Sequence, residues 1–270
     1  MNKESYSTLH THSEFSNLRL KDAIAHPHEL IDEAHKLGLN GLVLTDHETL
    51  SGHLKLSQYY HKNKERLGDF KIGFGNEIYL VDKNEVEYAR ENKERTQFYH
   101  FLLIAKNQHG YEGLRKLSTR AWDNMFSFRG QDRVPTYLNE LQTFMPEYKG
   151  DIIASSACLG GIIPNLIMKY HETQSKEDKQ AIIDHIQMFQ NIFGKDNFYL
   201  EMQPSNQEEQ LIVNNYIINI SQAMSVKLLV TTDAHYLNEE QKMVHKIYLQ
   251  SSDGEREVDS FYDTTFLMSA

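Results

Sequence analysis

Residues 27–47, PHELIDEAHKLGLNGLVLTDH, hold one complete passage from helix to strand, and their reading sets the reading of the whole chain. Pro27 suits the first turn of a helix, where its fixed φ is already helical and its missing N–H is not needed. Leu30, Ile31, Ala34 and Leu37 then recur at helical spacing as one apolar stripe, until Gly38 ends the pattern. Residues 41–46, GLVLTD, follow as a short apolar run of the kind a buried strand presents, and the run closes on Asp46 and His47. A helix feeding a buried strand is the unit of a parallel α/β sheet.

The same signal repeats outward from this stretch. Runs at 5–11, 41–46, 71–81, 98–105, 150–155, 197–202 and 227–232 read as strands, with helical patterns between most of them. Val213, Ile217, Ile220 and Met224 form another helical stripe just before the last run. Such alternation predicts a parallel α/β sheet, and seven units point to a closed barrel rather than an open sheet. The charged stretch 82–97 reads as a solvated hairpin loop or short helix, while 106–149 and 159–193 read as helical. No Pro/Gly/Ser-rich linker divides the chain, so residues 1–270 are expected to form a single domain.

Composition narrows the class. With 40% hydrophobic and 24% charged residues the chain is an ordinary globular protein, not a disordered one. Its net charge of −10 argues against a free-standing nucleic-acid binder, and leaves its acids to hold cations or to keep it soluble. A single cysteine excludes an intramolecular disulfide and makes a reducing cytoplasm the expected compartment. No membrane partner is expected, because the longest uncharged stretch, Ile152 to Met168, is broken by Ser155, Ser156, two glycines and Pro164. The phosphate-cradling GxxxxGK[ST] loop, the GxGxxG turn and the GxSxG elbow do not occur.

What the chain does carry is a set of metal-capable side chains at strand termini. His10 and His12 close the first strand, Asp46 and His47 the second, and Asp233 and His235 the last; Glu77 follows Gly75 in the third, and Cys158 comes just after the fifth. In an α/β barrel the strand ends converge on one mouth, so such residues become neighbours. His100 opens its strand instead of closing it, and does not follow from that rule. Imidazole, thiolate and carboxylate are the common ligands of zinc, manganese and iron. Two such ions a few ångströms apart generate hydroxide near neutral pH and stabilise both oxygens of an in-line displacement at phosphorus. The remaining histidines, His26, His28, His35, His53, His61, His109, His171, His185 and His245, fall in helical or loop patterns and read as solvent-facing or half-buried. A Cys158 nucleophile with His100 or His235 as base would leave the other ligands without a role.

At these residues the chain resembles the polymerase-and-histidinol-phosphatase (PHP) family. LHTHSEFS, GLVLTDHETLSG, GNEIYL, HFLLIAKN, SACLGGIIP, FYLEMQ and TTDAHYLN, in that order, are similar to the branch at the N-terminus of bacterial DNA polymerase III alpha subunits. The resemblance covers about residues 5–268 and implies a distorted (β/α)7 barrel holding two to three divalent ions, zinc, manganese or iron. It implies His10, His12, His47, Glu77, His100, Cys158, Asp233 and His235 as ligands, with Glu77 bridging and Glu77, Asp233 and His235 closest to the reaction. Polymerase relatives commonly place an aspartate seven residues beyond the second histidine of HxH, where this chain has Arg19; Asp22 is the candidate replacement.

Three functions follow as alternatives. One is a metal-dependent phosphoesterase, a proofreading 3′–5′ exonuclease acting on a DNA 3′ end through metal-bound hydroxide. Another is a structural module that contacts the remaining polymerase domains of a longer parent chain and a separate proofreading nuclease subunit. The third, a histidinol-phosphate phosphatase, suits the length but not the polymerase-type motifs.

Overall fold

A computed structural model describes residues 6–18, 21–128, 131–251 and 260–269. The first elements in chain order are β1 (Ser7–Thr8), α1 (Pro27–Lys36), β2 (Gly41–Leu44), α2 (Gly52–Lys62), α3 (Lys64–Leu67), β3 (Lys71–Val81), α4 (Lys83–Asn92) and β4 (Tyr99–Ala105). Next come α5 (Gln108–Asp123), β5 (Phe126–Phe128), β6 (Gln131–Arg133), β7 (Pro135–Tyr137), α6 (Leu138–Phe144) and β8 (Ile152–Ser155). The last are α7 (Ile162–Thr173), α8 (Lys176–Phe193), β9 (Phe198–Met202), α9 (Glu208–Met224), β10 (Lys227–Val230) and α10 (Lys242–Gln250). All seven expected strand positions are occupied, by β1, β2, β3, β4, β8, β9 and β10, and their order in the sheet follows their order in the chain. The α/β class is thus the one the helix-to-strand alternation predicts.

The chain divides into two compact units, one of residues 1–76, 203–207 and 231–270, the other of 77–202 and 208–230. In the first unit β1, β2 and the start of β3 pair in parallel, with Thr8 opposite Leu42 and Leu44 opposite Phe74. The stripe on α1 buries Leu30, Ile31 and Ala34 against Leu42, Leu44, Leu56, Phe70 and Leu237. Leu30 and Ile31 each contribute about 1.5–3 kcal/mol on burial. Gly38, at φ 76°, ends α1 in the left-handed region that glycine enters freely. The first strand is shorter than expected, but its line continues: Thr11 forms a parallel bridge with Ala234, with His12 N–H donating to Ala234 O at 2.8 Å.

The second unit corrects two expectations. Its sheet is not uniformly parallel, because β4 and β8 run antiparallel, Leu102 opposite Ser155 and Ala105 opposite Ile152. The chain leaves β4 and starts β8 at the same end, where Lys106 N–H donates to Asp151 O at 2.9 Å. Gly110 permits this closure, since a Cβ there would lie 2.1 Å from Asp151 O. The other strand pairs β8–β9 and β9–β10 are parallel. The second correction concerns 106–149, which carries α5 and α6 but also the β5–β6 hairpin and β7. Strands of three residues are too short to show alternation in a sequence. The charged stretch at 82–97 forms α4, capped by the Asp82 side chain accepting from Asn84 N–H at 2.7 Å. Among the described residues no helix is long and apolar enough to cross a membrane.

Candidate metal centre

Six of the nine proposed ligands belong to the first unit, and the structure brings them together. His10, His12, Asp22, His47, Asp233 and His235 are all buried. Asp22 Oδ2 lies 3.1 Å from His47 Nε2 and 3.1 Å from His235 Nε2. Asp233 Oδ1 lies 3.2 Å from His10 Nε2 and 3.1 Å from His12 Nε2. His12, Asp22, His47 and His235 offer ligand atoms all within 4.8 Å of one another. Bonds of about 2.0 Å to a tetrahedral ion set its ligands about 3.3 Å apart, so the spacing suits a zinc-sized cation.

The hydrogen-bond partners decide which ring nitrogens face inward. Ser16 Oγ donates to Asp46 Oδ1 at 2.9 Å, so its lone pairs receive His12 Nδ1–H at 3.0 Å and the His47 backbone N–H at 3.2 Å. His235 Nδ1–H donates to the carbonyl of Asp233 at 2.7 Å. Both rings, when neutral, turn a bare Nε2 lone pair toward the carboxylates. Each such contact of about 3 Å needs a proton or a metal cation between its two atoms, and with the rings neutral the donor set fits a metal cation. Burial works to raise the Asp22 carboxyl, but the His235 and His47 imidazoles outweigh it and hold it well below the usual carboxylate range. Burial also opposes charge on His235, yet Asp22 and Asp233 push that imidazole above its ordinary value.

The backbone is bent to serve this cluster. Asp233 adopts φ 49°, a left-handed conformation that a side chain disfavours and that concentrates at functional sites. Asp46 is not among the inward-facing groups; its carboxylate accepts from Ser13 N–H at 2.6 Å and from the Ser13 and Ser16 hydroxyls. Burial pushes the Asp46 carboxyl up, against those hydrogen bonds.

Asp22 is the residue that the sequence offered as a replacement, and the structure shows how it is held. Its backbone N–H donates to Asn17 Oδ1 at 2.7 Å, Tyr262 donates its hydroxyl proton to Oδ1 at 3.2 Å, and His245 Nε2 meets its carbonyl at 2.5 Å. Arg19 lies outside the described residues. His245, which the sequence pattern reads as solvent-facing or half-buried, is buried, stacked on Tyr236 at 4.9 Å. His53 likewise is buried, and burial lowers its imidazole to about 4. A histidine within a helical stripe gives no sign of which neighbours the tertiary fold supplies. Tyr262, which carries no metal-ligand chemistry of its own, had no signal at all.

The second unit holds the other three candidates. Glu77 and Cys158 are buried and His100 is half-buried. His100 Nδ1 lies 3.0 Å from Glu77 Oε1 and 3.5 Å from Cys158 Sγ. The antiparallel β4 explains the anomaly of His100, for the start of β4 is beside the end of β8, and His100 bridges to Gly161. Gly160 lies so close that a Cβ there would be 3.0 Å from the His100 ring. Ala157, at φ 55°, turns the chain into Cys158.

With this buried cluster of histidines and carboxylates at the strand ends of an α/β sheet, the chain matches the PHP domain family over residues 8–205. It belongs to that family. The chain is 39% identical to the DNA-directed DNA polymerase of Bacillus phage SPbeta, over 96% of this chain and 21% of that protein. It is 30% identical to the DNA polymerase III subunit alpha of Borreliella burgdorferi, over 93% of this chain and 20% of that protein. It is 31% identical to the corresponding subunit of Aquifex aeolicus, over 89% of this chain and 19% of that protein. It therefore spans about a fifth of the length of these relatives. A solved structure from Bifidobacterium adolescentis, provisionally described as a metal-dependent phosphoesterase, aligns over 86% of this chain and 88% of that one at 15% identity and a TM-score of 0.49.

Proposed function

We propose that this chain is the PHP domain of a bacterial-type replicative DNA polymerase alpha subunit and acts as a metal-dependent phosphoesterase, a 3′–5′ exonuclease of the proofreading type. The observation that carries the reading is Asp22, whose carboxylate reaches both His47 and His235 at 3.1 Å although Arg19 stands at the usual ligand position. His10, His12, Asp22, His47, Asp233 and His235 would hold ions in the first unit, and Glu77, His100 and Cys158 are the family's remaining ligand positions, in the second. Two to three divalent ions, zinc, manganese or iron, bound there would supply Lewis acidity and lower the pKa of a water. Asp233, Glu77 and His235 would orient the scissile phosphate and take the proton of the attacking water. The partners are a DNA 3′ end, the remaining polymerase domains of the parent chain and a separate proofreading nuclease subunit.

The test pairs elemental analysis of protein purified without added metal with a manganese-supplemented assay on a 3′-labelled oligonucleotide. The expected result is two or three ions per chain and release of mononucleotides, abolished by His12→Ala. Bound metal with no cleavage overturns the exonuclease and leaves the domain an architectural part of the polymerase.

A further inference from the structure

The first unit contains a groove of about 470 Å³ that the metal centre does not use. One wall is the outer face of α2, where Lys55, Gln58, Tyr59 and Lys62 follow one another at helical spacing. The other is the start of α1, where His26 and His28 stack with their planes 11° apart and their centroids 5.6 Å apart. His28 also meets the Tyr59 ring at 5.5 Å.

The charges in this groove differ from those of the chain as a whole. Glu14 is committed to His26, at 2.7 Å, and that contact raises the imidazole above its ordinary value. Asp32, beneath the Tyr59 hydroxyl, is neutralised by Arg66 at 2.5 Å. Lys55 and Lys62 are exposed and make no ion pair among the described residues. In a protein of net charge −10, two uncommitted ammonium groups flanking three ring faces form a local cationic strip.

The groove also joins the centre through the chain. Glu14 is two residues past His12, and His26 four past Asp22, so these walls begin within about 7 and 14 Å of two ligands. The helix α2 itself starts beside Asp46, the neighbour of the candidate ligand His47, since a Cβ on Gly52 would lie 2.6 Å from Asp46 Oδ2.

We propose that this groove is the track for a single nucleic-acid strand, with Lys55 and Lys62 on its phosphates and His26, His28 and Tyr59 as faces for its bases. Phosphate neutralisation by lysines along a groove with stacking rings is the general device for holding single strands without reading their sequence. The proposal rests on the phosphoesterase reading for its purpose, because it supplies the polymeric substrate that the centre would cut.

The experiment measures binding of a fluorescent oligothymidylate by anisotropy in chelator, across 50–200 mM salt, for the 270-residue chain and for Lys55→Gln/Lys62→Gln. Each single-strand phosphate that a lysine no longer neutralises lowers the slope of log affinity against log salt by about 0.7, so a fall of about 1.4 is expected. A control pair in the second unit, Lys176→Gln/Lys179→Gln, makes the same change in net charge and is expected to leave the slope intact. An unchanged slope in the groove variant, or an equal fall in the control, overturns the proposal. Displacement of the oligonucleotide by polyglutamate with equal potency also overturns it, since the groove would then favour an acidic peptide. Manganese-dependent hydrolysis of bis(4-nitrophenyl) phosphate, too small to need the groove, is measured alongside. Absence of that activity in the unsubstituted 270-residue chain with the groove effect present refutes the phosphoesterase and leaves the groove; its presence without the groove effect does the reverse.

Discussion

The two sets of candidate ligands differ in burial and in what their imidazoles meet. In the first unit His12 and His235 each have Nδ1 occupied, by Ser16 and by the Asp233 carbonyl, and Asp22 is fixed at its amide, carbonyl and carboxylate. In the second unit a single nitrogen, His100 Nδ1, faces both Glu77 and Cys158, and the ring is part-exposed, at 24% of its side chain. A ligand whose second nitrogen and neighbours are already satisfied loses little freedom when an ion binds. The comparison therefore separates a buried set, whose ring nitrogens have assigned partners, from one whose imidazole is part-exposed.

The sharpest way to break that contrast is to remove one ligand from each set. Asp22→Ala strips the shared carboxylate from His47 and His235 and is expected to lose one ion per chain outright. Cys158→Ser is expected to leave the ions of the first unit in place. Elemental analysis after gel filtration reads both, and equal loss from the two variants would erase the distinction.

A smaller effect is expected from the groups behind the ligands. Ser16→Ala frees the His12 ring to turn, and is expected to weaken metal affinity about 10–100-fold, the usual scale for such partners. Competition with a chromophoric chelator measures it. An unaltered affinity would mean that ring stacking on His47, at 4.3 Å, orients His12 without help.

The smallest effect is a pH dependence that belongs to the first unit. Asp22 is depressed, so its contribution to stability is complete above the ordinary carboxylate range and is lost as pH falls through its low folded value. His235 is raised above 6.5, so its contribution is complete below that pH and is lost as pH rises through its folded value. Chelated protein is expected to be most stable between those limits, with its thermal midpoint falling above pH 6.5. Ion binding needs neutral imidazole, so the midpoint gained from manganese should grow over the same interval. Calorimetry with chelator and with manganese checks both directions, and a flat profile for the chelated protein would remove the Asp22–His235 pairing from the account.

Much of this molecule was legible without a structure. The stripe of α1, the stop at Gly38 and the buried run of β2 are local features, each set by side chains a few residues apart, and seven strands fell where such features placed them. The ligand types were legible for the same reason, since HxH and DxH are chemistry written within three residues. Strand direction was not local. Nothing in YHFLLIA states that β4 lies antiparallel to β8, because direction depends on where the chain has been brought back, here by Gly110 against Asp151. The surroundings of Asp22 were half legible: the sequence offered a carboxylate there, but only the fold brings Tyr262 and His245, more than two hundred residues on, to hold it. Sequence determines which groups are available and the period of the elements that carry them. Burial, partner and tautomer are decided by contacts between segments far apart in the chain, and only the tertiary structure makes those.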